Sequence, residues 1–221
     1  LLLLGQRRDW TTFATEHPRY RMADDREVRC YAIAVDVVRN TATDLPALAQ
    51  EVRKHWFSQR DADDGCAFAA DRLIDARRLK PDDAWRKARL AIEANRPRSA
   101  RRAVEIIAPE ASNAVTELNN SPAKFLAGRS TGSGHTRKEL TVLALVKMAV
   151  SDAEAAETAL TRWGTRLTDE ERNWVWGVIG KQSAQRLGNE ALSYFDKVRN
   201  DRDLNDDMLG WKTRAALRAG N

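Results

Sequence analysis

Chemistry in this chain would have to come from a small stock of reactive side chains. Three histidines, His17, His55 and His135, lie far apart in the 221 residues. None has a second His, or a Cys, at the spacing that brings two such ligands to one metal. The sequence therefore assigns no metal ligand. His17 stands before Pro18 and His55 beside Trp56, positions that suit surface or packing roles. Carboxylate pairs recur at Asp24-Asp25, Asp63-Asp64, Asp82-Asp83 and Asp206-Asp207. Two carboxyl groups can divide acid and base work between them. Each pair, however, falls at an expected helix start, where the helix dipole favours negative charge, and capping accounts for it. Gly128, Gly132 and Gly134 precede no lysine in the frame of a phosphate-binding loop, and Gly-x-Ser-x-Gly does not occur. No catalytic residue, cofactor-binding residue or cofactor is assigned.

The two cysteines, Cys30 and Cys66, are too few for a metal site of cysteine type. Two readings stay open on the residues alone: buried free thiols in a reducing compartment, or one bridge in an oxidising one. The seven tryptophans are Trp10, Trp56, Trp85, Trp163, Trp174, Trp176 and Trp211. Most should be wedges between helices, because each buries a large area. Exposed ones can stack on a sugar or a base. Trp174 and Trp176 sit two residues apart and point different ways from a helix, so one of them is expected to face solvent or a partner.

The elements that position these residues are helices. Apolar residues recur at helical spacing almost throughout, and no alternating strand pattern of any length occurs. A first helix is expected from about Gln6 to His17, ended by Pro18. Asp24 or Asp25 caps the next, and Thr43 or Asp44 a third, with Pro46 in its first turn. Asp63 or Asp64 precedes the helix carrying Cys66. Lys80-Pro81 opens another, which ends at Asn95, and Pro97 starts one that Pro109 ends. Shorter pieces cover 111–118 and 122–127, and residues 128–134 read as a loop rich in Gly and Ser. Helices then follow over 136–150, 152–166, 168–187, 189–199 and 205–219, with Thr168 and Glu171 in capping-box register. Roughly a dozen helices with short links make sequence neighbours antiparallel.

Some helices also look related. Trp85 to Asn95 can be laid on Trp211 to Asn221, and the ending recurs at Ala184 to Asn189. Small residues near a helix end let partners approach, and Gly or Asn takes the left-handed turn that starts the next helix. This is the device of helical-hairpin repeats.

Bulk properties narrow the class. Hydrophobic residues make up 43% and charged residues 31% of the chain, which suits a folded protein. Its 37 basic and 32 acidic residues give a net charge of +5, but the signs are interleaved and no run of five like charges occurs. That pattern favours an Arg-rich helix surface over a nucleic-acid partner. No apolar run is long enough to span a membrane. Leu1 to Leu4 mimic the end of a signal peptide but lack a basic flank and a cleavage site. The chain is expected to be a segment of a longer protein.

Four stretches carry a family resemblance. Arg8-Asp9-Trp10 leads to a helix bearing Cys30 and Tyr31. Cys66 opens a helix that is followed by Arg89-Leu90-Ala91-Ile92-Glu93-Ala94-Asn95. His135-Thr136-Arg137-Lys138 runs into a long pair through Asp152 to Ala156. Leu167-Thr168-Asp169-Glu170-Glu171 continues through Trp174, with Asp206-Asp207 and Arg214-Ala215-Ala216-Leu217 after it. In this order they resemble the N-terminal superhelical domain of the soluble lytic murein transglycosylases of Gram-negative bacteria, over nearly the whole chain.

The resemblance implies an all-α fold over residues 1–221, a right-handed superhelix of antiparallel helix hairpins, curved or U-shaped. It implies a periplasmic setting and a parent enzyme that cleaves the bond between N-acetylmuramic acid and N-acetylglucosamine to give a 1,6-anhydro sugar. The family's catalytic Glu is followed by Ser. This sequence has neither Glu-Ser nor Gly-Leu-Met-Gln, so the lysozyme-like catalytic domain is expected outside these residues. The partners implied are peptidoglycan glycan strands and the catalytic domain of the same parent. The resemblance also implies a disulfide between Cys30 and Cys66. The alternative reading is a non-catalytic adaptor of tetratricopeptide type that binds proteins.

Overall fold

The computed structural model describes residues 1–22, 24–59, 64–129 and 134–220. Asp63, Asn221 and most of the expected Gly- and Ser-rich loop lie outside the described residues. Within them the fold is all-α, with no strand. The chain divides into two compact units, Leu1–Ser112 and Asn113–Asn221.

The first unit holds α1 (Leu2–Gln6), α2 (Trp10–Glu16), α3 (Arg26–Val38), α4 (Leu45–Ser58), α5 (Asp64–Asp75), α6 (Pro81–Glu93) and α7 (Pro97–Ile107). The second is built from α8 (Ser112–Asn120), α9 (Pro122–Arg129), α10 (His135–Ser151), α11 (Ala153–Trp163), α12 (Asp169–Gln185), α13 (Ala191–Asp196) and α14 (Asp206–Arg218). In both, each helix packs mainly on the next helix and the next but one. Thus α3 meets α4 and α5, α5 meets α7, and α10, α12 and α14 stack with α11 and α13 beside them. This is how consecutive hairpins bury one another's apolar faces in a two-layer stack.

Local chemistry sets the helix boundaries. Of the two candidate caps before α3, Asp25 accepts from Glu27 and Val28 N–H. Before α4, Asp44 accepts from Ala47 N–H with Pro46 in the first turn. Thr168 and Glu171 form the expected capping box on α12. Asn205 caps α14, leaving Asp206 and Asp207 to meet the dipole in the first turn.

The helix ends reveal what repeats. Asn40, Arg77, Asn95 and Leu187 all have left-handed backbones, with φ between 56° and 61°. At each, the following N–H reaches back to the carbonyl five residues before it, as in Arg96 to Ala91 and Gly188 to Ser183. The recurring unit is therefore a Schellman turn. In the copy at 184–189 the left-handed residue is Leu187, not the Gly or Asn beside it. A Cβ on Gly188 would lie 2.4 Å from Ser183 Oγ, so the glycine there answers to crowding.

The helix expected from about Gln6 begins only at Trp10, and a separate helix, α1, precedes it. The chain turns at Arg8 (φ 59°), and Asp9 caps α2 by accepting from Thr12 N–H. The turn folds α1 back so that Leu1, Leu2 and Leu4 cover a core of Phe13, Val28, Tyr31, Ala32 and Val35. Between α3 and α5 the backbones come close. A Cβ on Gly65 would stand 2.6 Å from the Glu27 carbonyl oxygen, and the disulfide Cys30–Cys66 spans a Cα separation of 4.8 Å. Small residues bring the two helices near enough for the sulfurs to meet. Among the described residues no helix is long and apolar enough to cross a membrane.

Candidate functional site

Several clusters of functional groups stand out. In the first unit, the Arg8 guanidinium lies 4.4 Å from the Phe68 ring centroid and 5.5 Å from that of Trp10. Phe68 and Trp10 are themselves stacked at 5.1 Å. Nη2 of Arg8 donates to Asp64 at 3.0 Å, and the other Asp64 oxygen accepts from the Tyr31 hydroxyl at 2.6 Å. Burial, then the neighbouring carboxylate, push the Tyr31 phenol far above its ordinary range. Burial also raises the Glu27 carboxyl, against hydrogen bonds from Gly65 N–H and the Tyr31 hydroxyl. Asp64, one of the paired carboxylates of the sequence, thus locks the α1–α2 turn to α3 and α5. Deeper in the same unit, Lys87 is fully buried and donates to the carbonyls of Trp56 and Gln59, which end α4. Its charge satisfies acceptors that a helix end leaves open.

In the second unit Trp176 and Trp211 are the partly exposed aromatics among the described residues. Trp174 is fully buried, whereas Trp176 is half-buried and stacks on Tyr194 at 6.3 Å. Lys197 sits over Trp176 at 4.4 Å and pairs with Glu157. Of the two tryptophans, Trp176 is the one turned outward. A groove of about 270 Å³ opens between the α12–α13 turn and α14, lined by Leu187, Asn189, Leu192, Trp211, Arg214 and Arg218 among others. Arg214 lies over the Trp211 ring at 4.9 Å. Aromatic faces beside arginines can hold sugars that carry carboxylates, by stacking and by paired hydrogen bonds.

The structure places the histidines as follows. His17 stacks on Phe13 at 5.6 Å, and His55 lies 3.6 Å from Glu51 on its own helix. His135 opens α10 and joins a group that spacing among His and Cys did not show. Its donor atoms and those of Glu139 and Glu171 all lie within 4.8 Å of one another. The missed signal is the i,i+4 pairing of His135 with a glutamate. The third member lies on α12 and could not be found from the sequence. Among the paired carboxylates, Asp25 caps a helix and Asp83 accepts from Lys80 N–H while binding Arg53. These roles are structural.

No family model and no curated protein sequence matches the chain. Its fold is nevertheless that of a known protein. The X-ray structure of an inactive mutant of the lytic transglycosylase Slt from Pseudomonas aeruginosa matches with a TM-score of 0.59 over 99% of this chain, at 21% sequence identity. The match takes up 35% of that protein, so the chain spans about a third of its length. The shared property is an all-α helical stack of the kind found within a lytic transglycosylase.

Proposed function

We propose that residues 1–221 are the superhelical scaffold of a periplasmic lytic transglycosylase. In this reading the parent cleaves the MurNAc–GlcNAc bond of peptidoglycan to a 1,6-anhydro product during cell-wall turnover. The observation that carries the reading is the likeness to lytic transglycosylase Slt across 99% of the chain. The disulfide supports the setting, because such bridges persist in oxidising compartments such as the periplasm. The scaffold's contribution is positional. Helices hold the Trp176 and Trp211 faces and their basic neighbours where anionic glycan strands can lie, while a lysozyme-like domain of the same parent does the chemistry.

Two measurements test this. The parent coding sequence is expected to encode Glu-Ser and Gly-Leu-Met-Gln motifs in a lysozyme-like module. Mass spectrometry of purified sacculi should show 1,6-anhydromuropeptides released by the parent and none by this chain alone. A parent without that module, or anhydro-sugar release by the isolated chain, overturns the reading.

A further inference from the structure

The groove between the α12–α13 turn and α14 carries positive charge that its lining does not answer. Trp211, Arg214, Ala215 and Arg218 follow one another at helical spacing and so share one face of α14, which forms one wall of the groove. Arg214 and Arg218 are the charged residues among the described lining, and no carboxylate lines it. Both arginines are exposed. Arg214 lies over the Trp211 ring, and among the described residues neither arginine has an ion pair or a side-chain hydrogen bond. Like charges four residues apart on a helix repel. The helix dipole accounts for Arg218, which stands in the last turn of α14. It does not account for Arg214, which stands before that turn. The remaining lining is small and apolar. Ala184, Ala191 and Ala215 are buried there, Leu192 is half-buried, and Leu187 is 66% exposed.

We infer that this groove binds the free carboxyl terminus of a short peptide whose last side chain is small and apolar. A guanidinium presents paired N–H donors in one plane, the arrangement that a carboxylate accepts. Stacking on Trp211 engages the face of the Arg214 guanidinium and leaves the donors at its edge available. The same stacking covers one face of Trp211, so the groove presents the arginine edge there rather than a bare ring for a sugar. At about 270 Å³ the groove is smaller than the ~300–1,000 Å³ of sites for drug-sized ligands, which suits one or two residues. The alanine and leucine lining takes a methyl-sized side chain out of water. A free phosphate would meet the arginines equally well but would leave that apolar lining uncovered. Asn189, also in the lining, has an amide that both donates and accepts, as the last peptide bond requires. The binding itself does not depend on the transglycosylase reading; only naming the peptide as a stem of peptidoglycan rests on that reading.

The test is a chemical-shift titration of the chain by NMR with acetyl-alanyl-alanine. The free acid should bind saturably and move the signals of Leu187, Leu192 and Ala215. Its C-terminal amide should bind roughly 10–100-fold more weakly, the worth of a hydrogen bond to a charged group. Arg214→Gln and Arg218→Gln, both exposed changes, should each weaken the acid by the same order while circular dichroism stays that of the unaltered chain. Arg202→Gln removes an exposed arginine outside the groove and should leave the affinity unchanged. Equal binding of acid and amide, an equal loss in Arg202→Gln, displacement of the peptide by equimolar inorganic phosphate, or no saturable binding at all, overturns the proposal. Release of anhydromuropeptides by the parent is a separate readout, so an empty titration defeats the groove without touching the transglycosylase reading, and an inactive parent does the reverse.

Discussion

Breaking the Cys30–Cys66 bridge tests the assembly of the first unit most directly. The bridge joins α3 to α5 across 36 residues of sequence. In the chain-entropy account, opening a loop of that length returns about 13 cal/mol/K to the unfolded chain, or about 4 kcal/mol at 25 °C. That is a large share of the ~5–15 kcal/mol by which a domain is stable. For a chain of this size it corresponds to a fall in melting midpoint of roughly 8–15 °C. Both sulfurs are fully buried, so reduction should require unfolding, and the comparison is best made after refolding with and without a reductant. Cys30→Ala with Cys66→Ala should fall further than the reduced protein, because removing two buried sulfurs adds a packing loss. Scanning calorimetry gives the midpoints, and a thiol assay under denaturing conditions should count none before reduction and two after. Two free thiols in the unreduced protein would refute the bridge. A midpoint that moves by less than ~2 °C on reduction would refute the entropic reasoning.

Two further perturbations probe the same unit. Gly65→Ala should destabilise by roughly 1–3 kcal/mol in urea titration, because the new methyl meets backbone that cannot step aside; an unchanged midpoint would show that α3 and α5 are farther apart. Glu51 is held below the usual carboxylate range by the two hydrogen bonds from Arg29, at 2.6 and 2.8 Å. Its contribution is therefore complete above the unfolded value near ~4.3 and fades as pH falls through the depressed folded value. The pair is partly exposed, so the effect should stay below about 1 kcal/mol. Glu51→Gln should flatten stability between about pH 5 and 3, and parallel curves would exclude this role. Glu27, raised mainly by burial, works in the opposite sense, its share being lost as pH rises through its folded value.

Much of this architecture is legible residue by residue. The apolar spacing of Val28, Tyr31 and Val35 marks α3, and the Thr168–Glu171 capping box marks the start of α12, because both depend on groups within one or two helical turns. The choice between Asp24 and Asp25 was open, and it falls to the one whose oxygen reaches two backbone N–H groups. The bridge was implied by resemblance, while the cysteines alone left free thiols equally open.

Where helices form, how they are capped and how consecutive ones bury each other's apolar faces can be read along the chain, since those outcomes rest on interactions a few residues long. The break at Arg8, held by Asp64 on a helix 56 residues away, the left-handed Leu187, and the meeting of His135 and Glu139 with Glu171 emerge only in the packed fold. Each depends on which surfaces are pressed together after the helices stack. A turn or a buried charge whose partner lies on another helix leaves no periodic signal in the chain that carries it.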